Sequence, residues 1–128
     1  MFVAAISRFA SLFDGLTSGM LSDPAFLAIV ERDLRDGQHR NPDRRPGWFT
    51  TSFFHRPDEI LEEALAAGYD VVELVGLEGL ACWLPQLEAT FDHPRDRQLV
   101  LAAARAVEAE PSLLGLSAHL LLVARSTG

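Results

Sequence analysis

The apolar positions change period several times along this chain, and each change marks an element. Phe2 to Ile6 is a short, apolar run, the pattern of a buried central strand rather than an edge. Ser7 then stands where a helix cap is expected, and Phe9, Leu12, Phe13, Leu16 and Met20 follow as one helical stripe. Asp23-Pro24 predicts a second helix, with an acid cap and proline at the first helical position. Leu27, Val30 and Leu34 form its expected inner face, and Gly37 its terminator. Pro57 predicts a third helix, with Asp58 and Glu59 near its positive end and Ile60, Leu61, Ala64 and Leu65 facing inward; Gly68 ends it. Val71 to Val75 predicts a strand.

Leu80 to Leu87 reads as a short helical or turn-rich piece broken by Pro85. A further helix is predicted from Pro94 to Glu108, with Leu99, Val100, Ala103 and Val107 inward and His93 in its cap region. Pro111 stops it, and the acids of Glu108-Ala109-Glu110 can accept from the Ser112 or Leu113 amide across the turn. Ala118 to Arg125 is the last predicted strand, and His119 at its start is read as a packing residue. The order is β, two helices, an irregular segment, then α, β, α, β. That alternation predicts an α/β sheet with helices on its faces. Three strands make a small sheet, and Phe2 to Ile6 is too apolar for a free edge.

Gln38 to Arg56 interrupts the periodicity. It holds two histidines, several arginines and four aromatic residues (Trp48, Phe49, Phe53 and Phe54) in a pattern that is neither helical nor alternating. A long irregular segment of this kind is usually kept for binding or chemistry. Composition narrows the choices. At 128 residues the chain is one domain, and 48% hydrophobic content gives it a real core. All eleven basic residues are arginine, the net charge is −7 and the pI is near 4.9, which weighs against nucleic acid or an anionic membrane as partner. The single cysteine, Cys82, allows no internal disulfide and reads as a small buried hydrophobe. No close His-x-x-x-His or cysteine pair is present, so no metal site is expected. No apolar run nears the ~20 residues of a membrane span, and the first residues lack the form of a signal peptide, so a cytoplasmic location is expected.

Several passages resemble class I S-adenosylmethionine-dependent methyltransferases. Gly68-Tyr69-Asp70-Val71-Val72-Glu73 is similar to a generic turn-into-strand passage late in that family. Three longer strings resemble its bacterial small-molecule branch: Gly37 to Pro42, Phe49 to Pro57, and Glu108 to His119. The resemblance implies the C-terminal portion of a Rossmann-like methyltransferase sheet. Phe2 to Ile6 would be the fifth strand, Val71 to Val75 the sixth and Leu120 to Ala124 the seventh, the last inserted antiparallel between the other two. Residues 1–7 would then be a central strand, 8–56 a helical and irregular substrate-side segment, and 57–128 an α-β-α-β unit. On that alignment the N-terminal cofactor half, with its glycine turn and ribose-binding acid, would be absent. Gly76-Leu77-Glu78-Gly79 follows a strand but has the wrong spacing for that turn. The cofactor implied is S-adenosylmethionine, and the chain is expected to be truncated and inactive alone.

The partner implied is a small-molecule methyl acceptor, with a homodimer through the exposed first strand as a further expectation. Methyl transfer needs a positioned acceptor and, for some acceptors, a base. His39 and His55 are the candidate bases; the alternative for each is a structural histidine bonded to a backbone carbonyl. Arg8, Arg40 and Arg56 are candidate acceptor clamps or, alternatively, ordinary ion-pair partners, Arg8 with Asp14 or a nearby carboxylate. Trp48, Phe49 and Phe53 are candidates for an aromatic pocket, or anchors of the segment to the core. If the segment is extended, Phe49 and Phe53 share one face. Relatives of this branch often carry tyrosine where this chain has Phe53, and the resemblance then implies that a hydroxyl has been lost there.

Overall fold

The computed structural model describes residues 1–128. Five strands form one mixed sheet. They are β1 (Phe2–Ser7), β2 (Gln38–His39), β3 (Ser52–His55), β4 (Tyr69–Gly76) and β5 (His119–Ser126). The helices are α1 (Ala10–Ser18), α2 (Pro24–Asp36), α3 (Pro57–Ala66), α4 (Leu87–Asp92) and α5 (Pro94–Val107). The sheet order is β2-β3-β1-β5-β4. β5 runs antiparallel to both of its neighbours, β1 and β4, so those two point the same way. The α/β class is therefore as expected, but the sheet has five strands rather than three.

The two extra strands come from the segment read as irregular. Gln38 and His39 pair antiparallel with Phe53 and Ser52, and the resulting hairpin lays β3 parallel to β1. β1 is thus not an edge, although β3 reaches only Ile6 and Ser7. A pair of two-residue ladders is too short to leave a periodic trace in sequence.

Side chains alternate across β1 and β5, and the two faces have different jobs. On one face Ala5, Leu122 and Ala124 pack with Ile60 and Ala64 of α3, joined by Val3, Leu61, Val71 and Leu74. Leu65 was expected in that face but is 59% exposed, because α3 presents only one stripe to the sheet. The other face carries Ile6 and its register partner His119.

On that face α1 is shorter than predicted. Ser7 is the last residue of β1, and Leu16 points to solvent. What α1 buries is the small stripe Ala10, Ser11 and Gly15, and a Cβ on Gly15 would lie 2.6 Å from the Phe26 ring of α2. α2 starts as predicted, with Asp23 accepting from the Ala25 amide at 2.8 Å. Its buried face is Phe26, Ile29, Val30 and Asp33, one residue round from the predicted stripe, because an acid belongs to the inner face. α5 buries no residue at all. Its Leu99, expected inward, is 60% exposed, since α5 rests on α4 and the 3₁₀ turn Gly79–Trp83 rather than on the sheet. Glu110 behaves as expected, accepting from the Ser112 amide at 3.1 Å and hydroxyl at 2.7 Å.

Candidate functional site

β1 and β4 end at the same side of the sheet, where β5 begins, and the polar chemistry of the chain collects there. It divides into a buried network under the hairpin and an open groove beside it.

The network starts at Gly37. This residue ends α2 in a left-handed conformation, φ 72°, which glycine adopts without strain. It also lies under crossing groups: a Cβ there would collide with the Phe54 carbonyl and the Arg8 guanidinium. That clearance lets Arg8, 2% exposed, donate from Nε to the Phe54 carbonyl at 2.8 Å and from Nη2 to both Glu59 oxygens at 2.6 Å. Glu59 also accepts from the Arg56 amide at 2.8 Å, so one carboxylate caps α3 and neutralises Arg8. Arg8 is thereby an internal ion-pair partner, with Glu59 rather than Asp14.

His39 is held on every side. Its ring stacks on Phe54 at 4.7 Å between centroids, Nδ1 lies 2.7 Å from Asp33 Oδ2, and Nε2 lies 3.0 Å from the Trp48 carbonyl. The Trp48 carbonyl can only accept, so Nε2 carries a proton. Asp33 Oδ2 also accepts from Ser11 Oγ at 2.7 Å, and a carboxylate asks Nδ1 for a proton too. Burial alone would lower the His39 pKa, but the hydrogen bonds to Asp33 and to the Trp48 carbonyl outweigh it, and the net shift is upward. Both ring nitrogens are committed to groups of the chain. This geometry replaces the reading of His39 as a base: it ties α2 to the hairpin and positions Trp48 and Phe49.

His55 is the register partner of Ser7 and lies on the α3 side of the sheet. Its Nε2 is 3.4 Å from Glu63, Phe53 meets its ring edge-on at 4.8 Å, and Nδ1 is buried without a partner. Arg40 donates to the His39 and Ser52 carbonyls and to Gln38 Oε1, which binds β2 to β3. Arg56 reaches the Leu34 carbonyl at 3.4 Å and stands over Phe9. Trp48 meets Phe26 edge-on at 5.1 Å and has Arg45 over its ring at 4.4 Å, so it anchors the hairpin loop. Phe49 has a positive φ of 51°, so the segment is not extended and Phe49 and Phe53 face different surroundings. Of the sequence candidates, only Phe49 lines the groove.

The groove has a volume of about 240 Å³ and lies on the Ile6 face. Ile6, Ala10 and Ala118 form its floor, Phe49 and Trp83 its aromatic walls, and Asp14, Cys82 and His119 its polar points. Trp83 is fixed by its Nε1 donating to the Leu116 carbonyl at 2.6 Å and by Phe13 at 5.5 Å. Asp14 makes no side-chain hydrogen bond or ion pair within the chain, and burial raises its pKa. Burial likewise raises the Cys82 thiol, which leaves it protonated and a poor nucleophile.

His119 is the feature that sequence reading passed over as packing. Its Nδ1 lies 2.6 Å from Glu78 Oε1, while Glu78 Oε2 accepts from the His119 amide at 3.1 Å and from Ser117 Oγ at 2.7 Å. Burial would raise the Glu78 pKa, but these bonds from Ser117 and His119 prevail and lower it. Glu78 is therefore ionised and Nδ1 donates to it, which leaves Nε2 without a partner in the chain. The sequence signal was present: Gly76-Leu77-Glu78-Gly79 puts an acid just past the carboxyl end of a strand, where α/β sheets hold ligands. Asp33, Ser11 and Glu59 were also missed, having no local pattern that marks them.

A larger open hollow, about 560 Å³, lies within the hairpin loop between Asn41 and Thr51, where Asn41 holds the turn by accepting from the Arg45 amide and donating to the Arg45 and Phe49 carbonyls. The chain has no cluster of three or more His, Cys, Asp or Glu able to hold a metal ion. No helix is long and apolar enough to cross a membrane.

The residues after β4 do not fit S-adenosylmethionine. A Cβ on Gly76 would lie 2.9 Å from the Ser117 side chain and one on Gly79 3.3 Å from Val107, so both glycines admit protein rather than a ligand. Glu78, the acid between them, is already committed. Neither the protein-family models nor the curated proteins give any match to this chain.

Proposed function

We propose that this chain is the C-terminal, substrate-side portion of an S-adenosylmethionine-dependent methyltransferase acting on a small molecule. The observation that carries the reading is the strand order β1-β5-β4, with β5 antiparallel between two parallel strands. That is the arrangement the resemblance assigns to the fifth, seventh and sixth strands of the family. The groove at the carboxyl ends of β1 and β4 supports it further, since it has room and aromatic walls for a small acceptor. This reading assigns the methyl donor to elements other than the turn after β4, where Gly76 and Gly79 admit protein rather than a ligand.

Calorimetric titration of S-adenosylhomocysteine into the folded chain tests this assignment. No heat is expected. Saturable binding by the monomer would overturn the division of labour. A second reading, a non-catalytic dimerisation module, rests on the part of β1 that β3 leaves unpaired, where Phe2 is 75% exposed. Sedimentation separates the two, since a strictly monomeric species removes the module.

A further inference from the structure

The groove holds a histidine that has an orienting carboxylate and an idle nitrogen. Ile6 and His119 are register partners on the same sheet face, and both line the groove. Glu78 fixes the ring twice, through Nδ1 and through the backbone amide of the same residue. Glu78 is in turn fixed by Ser117, which is fully buried and accepts from the Glu78 and Gly79 amides at 3.0 and 3.3 Å. A carboxylate behind Nδ1 selects the tautomer with a basic Nε2 and stabilises the imidazolium that forms when Nε2 takes a proton.

The surroundings say which proton. Two aromatic faces, Phe49 and Trp83, favour a flat ligand. No arginine lines the groove, so it offers no fixed cation to a phosphate or a carboxylate. An aryl hydroxyl titrates near 10, roughly as tyrosine does, within reach of an imidazole in a bound complex; an alkanol lies far above it. Asp14, unpartnered, supplies a second polar anchor across the groove.

We propose that the groove binds a small hydroxylated aromatic compound and that His119, positioned by Glu78, accepts its phenolic hydrogen bond and takes its proton. The O–H bond breaks, the proton passes to Nε2, and the electron pair stays on oxygen, giving an aryloxide beside an imidazolium paired with Glu78. The inference rests on the acceptor-side reading above. It deepens that reading by naming the acceptor class and the base.

The test is a binding experiment that involves no methyl donor, so its failure and the failure of the methyltransferase reading are separable. 4-Nitrophenol is titrated into the full chain while its own phenolate absorption and the ring-proton resonances of the four histidines are followed. Saturable binding is expected, with the His119 resonance moving and the bound phenol ionising at a lower pH than the free compound. 4-Nitroanisole, which has no proton to give, should bind at least tenfold more weakly and leave His119 unmoved. His119→Ala should weaken 4-nitrophenol at least tenfold and abolish the ionisation change. Glu78→Gln should retain binding and lose that change. Absence of saturable binding, equal binding of the two probes, or a shift in other histidines but not His119 would each overturn the proposal. The wild-type resonances decide the matter if either variant fails to fold.

Discussion

Gly37 shows how much one residue can carry in a chain this small. Its left-handed backbone ends α2, its amide returns to the Asp33 carbonyl at 2.8 Å, and its missing side chain leaves space for Arg8 to reach Phe54 and Glu59. A residue with a Cβ meets two separate penalties, the left-handed φ and the collision with a backbone oxygen that cannot swing away. Gly37→Ala is therefore expected to cost about 3 kcal/mol, more than either penalty alone. Urea unfolding checks it: a midpoint unchanged from wild type would mean that the hairpin moves aside freely. The Arg8–Glu59 pair needs a different expectation. Arg8 is buried but Glu59 is about a third exposed, so the pair holds geometry more than it adds stability.

At the scale of elements, α3 and α5 look alike in sequence and differ in use. Both begin with proline at the first helical position and carry an apolar stripe. Only α3 delivers its stripe to the sheet, through Ile60 and Ala64 against Ala5, Leu122 and Ala124. Ile60→Ala should lose about 3 kcal/mol, as buried aliphatic truncations do. Leu65→Ala, on the same helix but 59% exposed, should stay within about 0.5 kcal/mol of wild type. Thermal unfolding of the two variants makes the comparison, and equal losses would place the core elsewhere. α5 instead leaves Leu99, Val100, Ala103 and Val107 lining an open apolar groove with Leu80 and Leu84.

Across the whole molecule, two ionic knots on the same end of the sheet set opposite limits on pH. His39 has a raised folded-state pKa, so its stabilisation is complete below the unfolded value of about 6.5 and is lost as pH rises through the folded value. Glu78 has a lowered folded-state pKa, so its stabilisation is present above the unfolded value of about 4.3 and is lost as pH falls through the folded one. Glu110 acts in the same sense from the surface, where solvent screens it. Asp14 acts oppositely, since burial raises its pKa and its ionisation costs the folded state. Stability measured by denaturant titration across pH should peak between the two knots. Asp33→Asn should lower the curve and flatten its alkaline side, and Asp14→Asn should steepen the acid side. An alkaline limb that persists in Asp33→Asn would detach it from His39.

The legible part of this protein was whatever is local. Caps, prolines and period placed α2 and α3 near their observed ends. The long strands β4 and β5 were visible because their branched and aliphatic residues run together, and Glu110 was readable because its partner is two residues away. Only tertiary structure could decide which face of α2 turns inward, because Asp33 gains its place from His39 and Ser11, groups that sequence spacing does not bring to it. The same holds for the groove. His119 and Glu78 are separated by 41 residues, and Ile6 meets His119 only through the antiparallel register of β1 and β5. A histidine's role depends on what stands at each ring nitrogen, and that is a property of the folded register. So the aromatic and basic segment drew attention in the sequence, while the free imidazole nitrogen lies at the end of another strand.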